Sequence, residues 1–284
     1  MTASGDDQPT GERSRLVRTP VVTGMLAATA VVVLAVFLSG CRGPSGGPGP
    51  YSVTATVPVG KGPQGVAADP DTHTVYVTNA NGDTVSVIDG STRTVRATVP
   101  VGKGPWGVAV DPGPHTVYVT NNGDNTVSVI DGSTRTVTAT VPVGKDPGGV
   151  AVDPGPHAVY VTNNGDNTVS VIDGSTRTVT ATVPVGKGPW GVAVDPGPHT
   201  VYVTNVNGDN TVSVIDGSTR TVTATVPVGK EPGAVDPGPH TVYVSNNGDY
   251  TVSVIDGSTR TVTATVPVGK GPWGVAVDPG PHTV

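Results

Sequence analysis

Three copies of the word Lys-Gly-Pro-Trp-Gly carry the residues best suited to hold a ligand: Lys103 with Trp106, Lys187 with Trp190, and Lys270 with Trp273. An indole face beside an ammonium group can stack a sugar or an aromatic ring while the charge meets its polar rim. The same indoles could instead plug gaps between packed neighbours, because Trp is mostly buried in folded chains. Equivalent words at Lys61, Lys145 and Lys230 carry Gln64, Gly148 and a shortened Trp-free stretch, Lys230–Asp236. Histidine also recurs once per copy, at His73, His115, His157, His199, His240 and His282. Each holds the same place in its own turn. Packed sheets stand about 10 Å apart, too far for equivalent rings to share zinc at bonds of about 2.0–2.1 Å. A turn residue bonding local backbone is the expected role, and no metal or other cofactor is predicted. Asn121-Asn122-Gly123-Asp124 and its copies lack the alternating acids and terminal Glu of a calcium loop.

Catalysis needs one constellation of unlike residues, so an enzyme built from repeats breaks its symmetry at the site. The departures noted here are Gln64, Arg96, Asp146, Val206, Glu231 and Tyr250. They pair no nucleophile with a base and no two acids. The expectation is a binding or cell-surface scaffold module rather than an enzyme. The formal charge of −6 lies wholly beyond the first 41 residues, without the basic stripe of a nucleic-acid binder. An unidentified protein or glycan is the expected partner.

The elements that position these residues are copies of one unit. Val-Pro-Val-Gly-Lys starts at Val57, Val99, Val141, Val183, Val226 and Val266, a spacing of 42, 42, 42, 43 and 40 residues. A period of roughly 40 suits propeller blades and helical solenoids alike, and the content of the unit decides. Gly107–Asp111 is a short strand ended by Pro112-Gly113-Pro114. His115–Thr120 and Thr126–Ile130 alternate with period two, joined at Asn121–Asp124, whose residues tolerate positive φ. Thr136–Val141 is a fourth, outer strand with Thr138 and Thr140 facing water, and Pro142 sits where an edge tolerates a missing donor. Four antiparallel β-branched strands per unit predict an all-β propeller of four-stranded blades. On one face lie the inter-blade segments and the Asn-Asn-Gly-Asp hairpins; on the other lie the Asp-Pro-Gly-Pro-His and Asp-Gly-Ser-Thr-Arg turns.

The words Val75–Asn79, Val117–Asn121, Val159–Asn163 and Val201–Asn205 read V-Y-V-T-N, and Val242–Asn246 departs only by Ser245. Over about Ser52 to Val284 the chain resembles the YVTN-family β-propeller repeat. That resemblance implies surface-layer or secreted propellers of varied role, and also touches lactonase and lyase propellers acting on a small molecule or polysaccharide. Ser52–Gly60 reads as a lone fourth strand, five complete units follow, and His282-Thr283-Val284 stops inside a second strand. An open ring leaves sheet edges unpaired, so the pattern predicts a truncated ring of at least six blades with one blade split and incomplete, and the resemblance implies seven.

The first 41 residues differ in kind: they hold the only Cys, both Met and the only Phe. Arg13, Arg15 and Arg18 precede the uncharged apolar run Val21–Leu38, and small residues follow, the order of an export signal. Leu38-Ser39-Gly40-Cys41 resembles a bacterial lipobox. That implies cleavage before Cys41 and a diacylglycerol thioether on its sulfur, two acyl chains sufficing for a stable anchor. The expected organisation is a signal peptide at 1–40, a lipidated Cys with a Gly/Pro-rich linker at 41–51, and repeats at 52–284. The expected address is the extracytoplasmic face of a bacterial membrane. Cys41→Ser should then abolish labelling by a palmitate analogue and accumulate unprocessed precursor; unchanged labelling would refute the anchor.

Overall fold

The computed structural model describes residues 53–277 except Pro239, together with Val31–Val32. The rest of the export-signal run, Cys41, the linker 42–50 and the stub 282–284 lie outside the described residues. Strand β1 (Val31–Val32) pairs antiparallel with β2 (Val57–Pro58). Five four-stranded antiparallel sheets follow, each made of consecutive strands. The first blade is β3 (Pro63–Asp69), β4 (Thr74–Asn79), β5 (Thr84–Asp89) and β6 (Thr94–Pro100). The second is β7 (Pro105–Asp111), β8 (Thr116–Asn121), β9 (Thr126–Asp131) and β10 (Thr136–Pro142). Blades three to five repeat this as β11–β14 (147–184), β15–β18 (189–227) and β19–β22 (232–267). Among the described residues there is no helix, and the all-β, five-blade expectation holds.

The two middle strands of a blade read as unbroken buried runs, not as an alternation. A sheet with one wet face would alternate; these sheets are covered on both. Tyr118, Val127, Val129 and Val141 of the second blade pack on Val159, Val161 and Ile172 of the third, and every junction repeats this set. At roughly 25 cal/mol per Å² of apolar area, this burial is the main stabilising term available to a chain with so few aromatics. The outermost strand is different. Thr136–Thr138 are exposed, Val137 included, and the register slips between Val137 and Ala139. The same slip recurs in every outer strand, a bulge that blunts an otherwise pairable edge.

Each polar letter of V-Y-V-T-N has a structural task. The Thr120 hydroxyl accepts from Gly107 N–H (2.8 Å) and donates to the Gly148 carbonyl of the next blade (2.7 Å). Asn121 donates to Thr126 Oγ1 (3.0 Å) and Ser128 Oγ (2.9 Å), which ties the second strand to the Thr-Val-Ser word of the third. The Tyr118 phenol reaches the Asp-Gly-Ser-Thr turn of the next blade, where a Cβ on Gly174 would sit 2.8 Å from its oxygen. Burial beside Asp111 pushes the Tyr118 phenol up to about 12. The tyrosine therefore stays neutral and acts as a buried wedge.

The turns depart from expectation in two places. Positive φ falls on Asn125, one residue after Asn-Asn-Gly-Asp, and on His115 and Arg135 at the ends of the other two turns. Asn121, expected in the turn, closes its strand and is fully buried. The histidine carbonyl does bond local backbone, accepting from Gly132 N–H (2.9 Å). Its ring does not. His115 Nδ1 meets Asp69 Oδ2 of the preceding blade at 2.8 Å, and His157–Asp111 and His199–Asp153 repeat this at 2.7 Å. These rings latch blades together. Asp111 is 1% exposed and its second oxygen has no hydrogen-bond partner. Removing the ring leaves a buried, unpaired carboxylate, so His157→Ala should cost about 1–3 kcal/mol. His73 has no such partner among the described residues, so His73→Ala should leave the urea midpoint nearly unchanged; equal losses for both variants would refute the latch.

Candidate functional site

The innermost strands of all five blades face one another around a channel of about 240 Å³. Its lining is set by the second residue of the inner strand in four of the five blades. Gln64, Trp106, Trp190 and Gly233 line it from that position, and Trp273 follows from the segment after the fifth blade, whereas in the third blade Gly148 is buried and Gly149 lines the channel. From the second blade on, Trp and Gly alternate at this place in the repeat. Trp106 of the second blade and Trp190 of the fourth meet edge to face, 5.4 Å between centroids and 71° between planes. Gly148 of the intervening blade lies beside Trp190. A Cβ there would meet Trp190 Cε3 at 3.8 Å, an ordinary van der Waals contact. Gly233 stands in the same relation to Trp273, at 3.6 Å.

The tryptophans thus gather at the channel, and the first two touch across it instead of filling the gap between adjacent blades. Trp273 is 64% exposed. With its amide turned to satisfy both neighbours, Asn247 accepts from Trp273 Nε1 (3.0 Å) and donates to Glu231 Oε2 (3.2 Å). The lysines sit on the same face, in the inter-blade turns, and Lys103, Lys187 and Lys270 are exposed. The backbones of Lys103 and Lys187 are fixed by the last residue of the neighbouring hairpin. Lys103 N–H donates to Asp124 Oδ2, and Lys187 N–H to Asp209 Oδ2, both at 2.7 Å. Hydrogen bonds from Asn122 and Gly123 to the inter-blade carbonyls place hairpin and lysine on one face. The ammonium groups themselves enter no ion pair among the described residues.

Two unlike carboxylates break the rim's symmetry. Asp146 and Glu231 occupy the left-handed position that Gly104 and Gly188 fill in other copies, and both belong to blades carrying Gly in place of Trp. Arg96, another departure, pairs with Asp89 on the opposite face. A further departure escaped the sequence reading. The first blade turns through Asp69-Pro70-Asp71-Thr72-His73, where the next three read Asp-Pro-Gly-Pro-His. Asp71 thereby joins Asp69 and His115, with ligand atoms of all three within 4.8 Å. The donor set suits a divalent cation. Its atoms are nonetheless already employed: Asp69 accepts from Asp71 and Thr72 N–H and from the His115 ring. Burial alone would raise Asp69, yet the bonds from Thr72, His115 and Asp71 outweigh it and hold the carboxyl below its ordinary range. The next two junctions form the same His–Asp pair without a third carboxylate, so the pair itself is architecture.

Asp236 was visible only as a shortening. Deleting two residues from the fifth inner strand sets Asp236 opposite Tyr243, where Ala109 lies opposite Tyr118. Burial pushes its carboxyl up, partly offset by the Val277 N–H that it accepts at 2.8 Å.

A family model described as "Lactonase, 7-bladed beta-propeller" matches residues 61–237. The chain belongs to that family. No curated protein matches it. Among solved structures it is similar to a chain of Kuenenia stuttgartiensis hydrazine synthase, at 20% identity and a TM-score of 0.59, covering 77% of this chain and 90% of that one. At that identity the likeness is one of fold.

Proposed function

We propose that this lactonase-family propeller is an extracytoplasmic, membrane-anchored module that binds a saccharide-like ring at the channel mouth. The observation that carries the reading is the indole pair of Trp106 and Trp190, with Trp273 lining the same channel. Faces of this kind hold the apolar side of a sugar or lactone ring, and the exposed lysines, Gln64, Asp146 and Glu231 supply donors and acceptors for its edge. The lipobox-like Cys41 and the Gly/Pro linker support the anchored, outward-facing placement.

The family match supports a second reading, a propeller enzyme that opens a lactone. Ring opening needs water activated by a base or a metal ion, and a site for the developing oxyanion. The channel lining offers Gln, Gly, Val, Ala and Trp, groups that orient a ring rather than attack it. Binding is therefore preferred.

The chain has three tryptophans, all at this mouth, so fluorescence excited selectively at tryptophan reports on the site. Titration with soluble cell-wall saccharides and with sugar lactones should give saturable quenching, weakened about three- to tenfold by Trp190→Ala. Unchanged affinity in that variant would remove the site. Release of hydroxy acid from a lactone above the buffer rate would replace the binding reading with the enzymatic one.

A further inference from the structure

Asn-Gly stands in the hairpin between the second and third strands of every blade, at Asn81, Asn122, Asn164, Asn207 and Asn247. This dipeptide carries a reaction of its own. The glycine nitrogen, once it gives up its proton, can attack Cγ of the asparagine, and a glycine lets the chain bend to the attack. In a folded chain two hydrogen bonds oppose it, one on the glycine N–H and one on the asparagine amide. Both are present in the second and third blades. Gly123 N–H donates to the Lys103 carbonyl (3.0 Å) and Asn122 Nδ2 to the Pro147 carbonyl (3.3 Å). Gly165 and Asn164 repeat this with Lys145 (3.1 Å) and Pro189 (3.5 Å). The acceptors lie outside the hairpin, so the reaction there waits for the hairpin to lift away.

The fourth blade's hairpin is one residue longer, Asn205-Val206-Asn207-Gly208-Asp209-Asn210 against Asn121-Asn122-Gly123-Asp124-Asn125. The extra residue slides the dipeptide out of both bonds. Asn207 N–H now makes the bond to the Lys187 carbonyl (3.1 Å) that Gly123 makes to Lys103. Gly208 N–H is left to its own loop, bonded to the Val206 carbonyl two residues back (2.9 Å). Val206 takes the place of the bonded Asn122 and Asn164, and the Asn207 amide lies instead over Gly188, where a Cβ would collide with it. Gly208 has a φ of 88°, with nothing within 4 Å of the place its Cβ would occupy. Asn207 and Gly208 are exposed, whereas Asn122 and Asn164 are half-buried. Asn81 is exposed too, but Gly82 N–H closes a turn onto the Asn79 carbonyl (3.0 Å) and its Cβ position meets Thr84 Oγ1 at 3.4 Å.

We propose that Asn207 is a self-modifying site, deamidated by its own backbone while the matching asparagines of the neighbouring blades are protected. The Gly208 nitrogen forms a bond to Asn207 Cγ, and the Cγ–Nδ2 bond breaks. The amide nitrogen leaves as ammonia, carrying the proton that Gly208 gave up. One water then opens the succinimide ring to aspartate or isoaspartate, with nothing oxidised or reduced. The product sets a carboxylate against the Lys187-Gly188 turn, in the blade that carries Trp190. Isoaspartate also adds a methylene to the main chain beside Asp209, whose Oδ2 holds Lys187 N–H. The charge and shape of the channel mouth therefore change as the protein ages. The reaction needs no ligand and does not rest on the binding reading.

The test incubates the full-length chain, in mild detergent and mildly alkaline buffer, and follows it by tryptic peptide mass spectrometry. Trypsin places each Asn-Gly in a separate peptide. The amide-to-acid mass gain should accumulate at Asn207 at least about tenfold faster than at Asn122 or Asn164, where two hydrogen bonds must open first. Asn81 should fall between them. Isoaspartate-specific carboxyl methylation should label the 188–220 peptide first. In concentrated urea, where no hairpin is held, the rates should converge. Deleting Val206 gives this hairpin the length of the others, and should slow Asn207 to the rate of Asn122. Three results would each overturn the proposal: equal rates at Asn207 and Asn122 in the folded chain, the same preference for Asn207 in urea, or an unchanged Asn207 rate in a Val206-deleted chain with the parent's circular dichroism.

Discussion

A four-stranded sheet made of Val, Thr, Tyr and Ile cannot hide both its faces by itself, and this constraint governs the whole molecule. Each blade becomes stable only as the filling of a sandwich whose outer layers are its neighbours. The near-identity of the copies follows directly. A face that must fit the next blade, and a back that must fit the previous one, leave little latitude for variation from copy to copy. Stability in such an array is a sum over junctions between nearest neighbours. Apolar contact supplies most of it. The polar bonds that cross the junctions, Thr120 to Gly148 and His157 to Asp111, set the register.

Function enters where the repeat is allowed to vary. The strands that build the junctions tolerate almost no change, whereas the second residue of each inner strand runs Gln, Trp, Gly, Trp, Gly. At Gln64, Trp106, Trp190 and Gly233 that position lines the channel, not a junction, and so is free of the fitting rule. Trp106 and Trp190, from the second and fourth blades, meet edge to face, with Gly148 at the same place in the blade between. The acids follow the glycines, at Asp146 and Glu231. A mouth with both aromatic surface and unlike polar groups can hold an asymmetric ligand on a symmetric frame.

Much of the fold was legible from the chain because the strand pattern has a short range. Period-two runs such as Thr116–Thr120 and Thr126–Ile130 declare their own strands, and Pro and Gly mark their ends. What joins blades is carried by pairs 28 or 46 residues apart, such as Thr78 with Trp106 or His115 with Asp69. No local pattern betrays those, and the histidine ring was accordingly given a local partner. Likewise Asn125 and not Asn122 takes the left-handed conformation, because the hairpin's tight turn ends one residue later than its composition suggests. The tryptophans were found by type and spacing, but their meeting across the channel depends on ring geometry. Asp71 was there to be seen, one acid in place of a repeated glycine.

If mutual coverage is what stabilises the blades, protection of backbone amides should follow it. Hydrogen–deuterium exchange resolved to the third strand of each blade tests this directly, since these strands have the same sequence and pairing throughout. The account predicts that Val127–Val129, Val169–Val171 and Val212–Val214, covered on both faces, exchange most slowly, and that Val252–Val254 exchanges at least about tenfold faster, as expected for the least covered unit of such an array. Equal protection in all four strands would show that each blade holds itself together, contradicting the central claim.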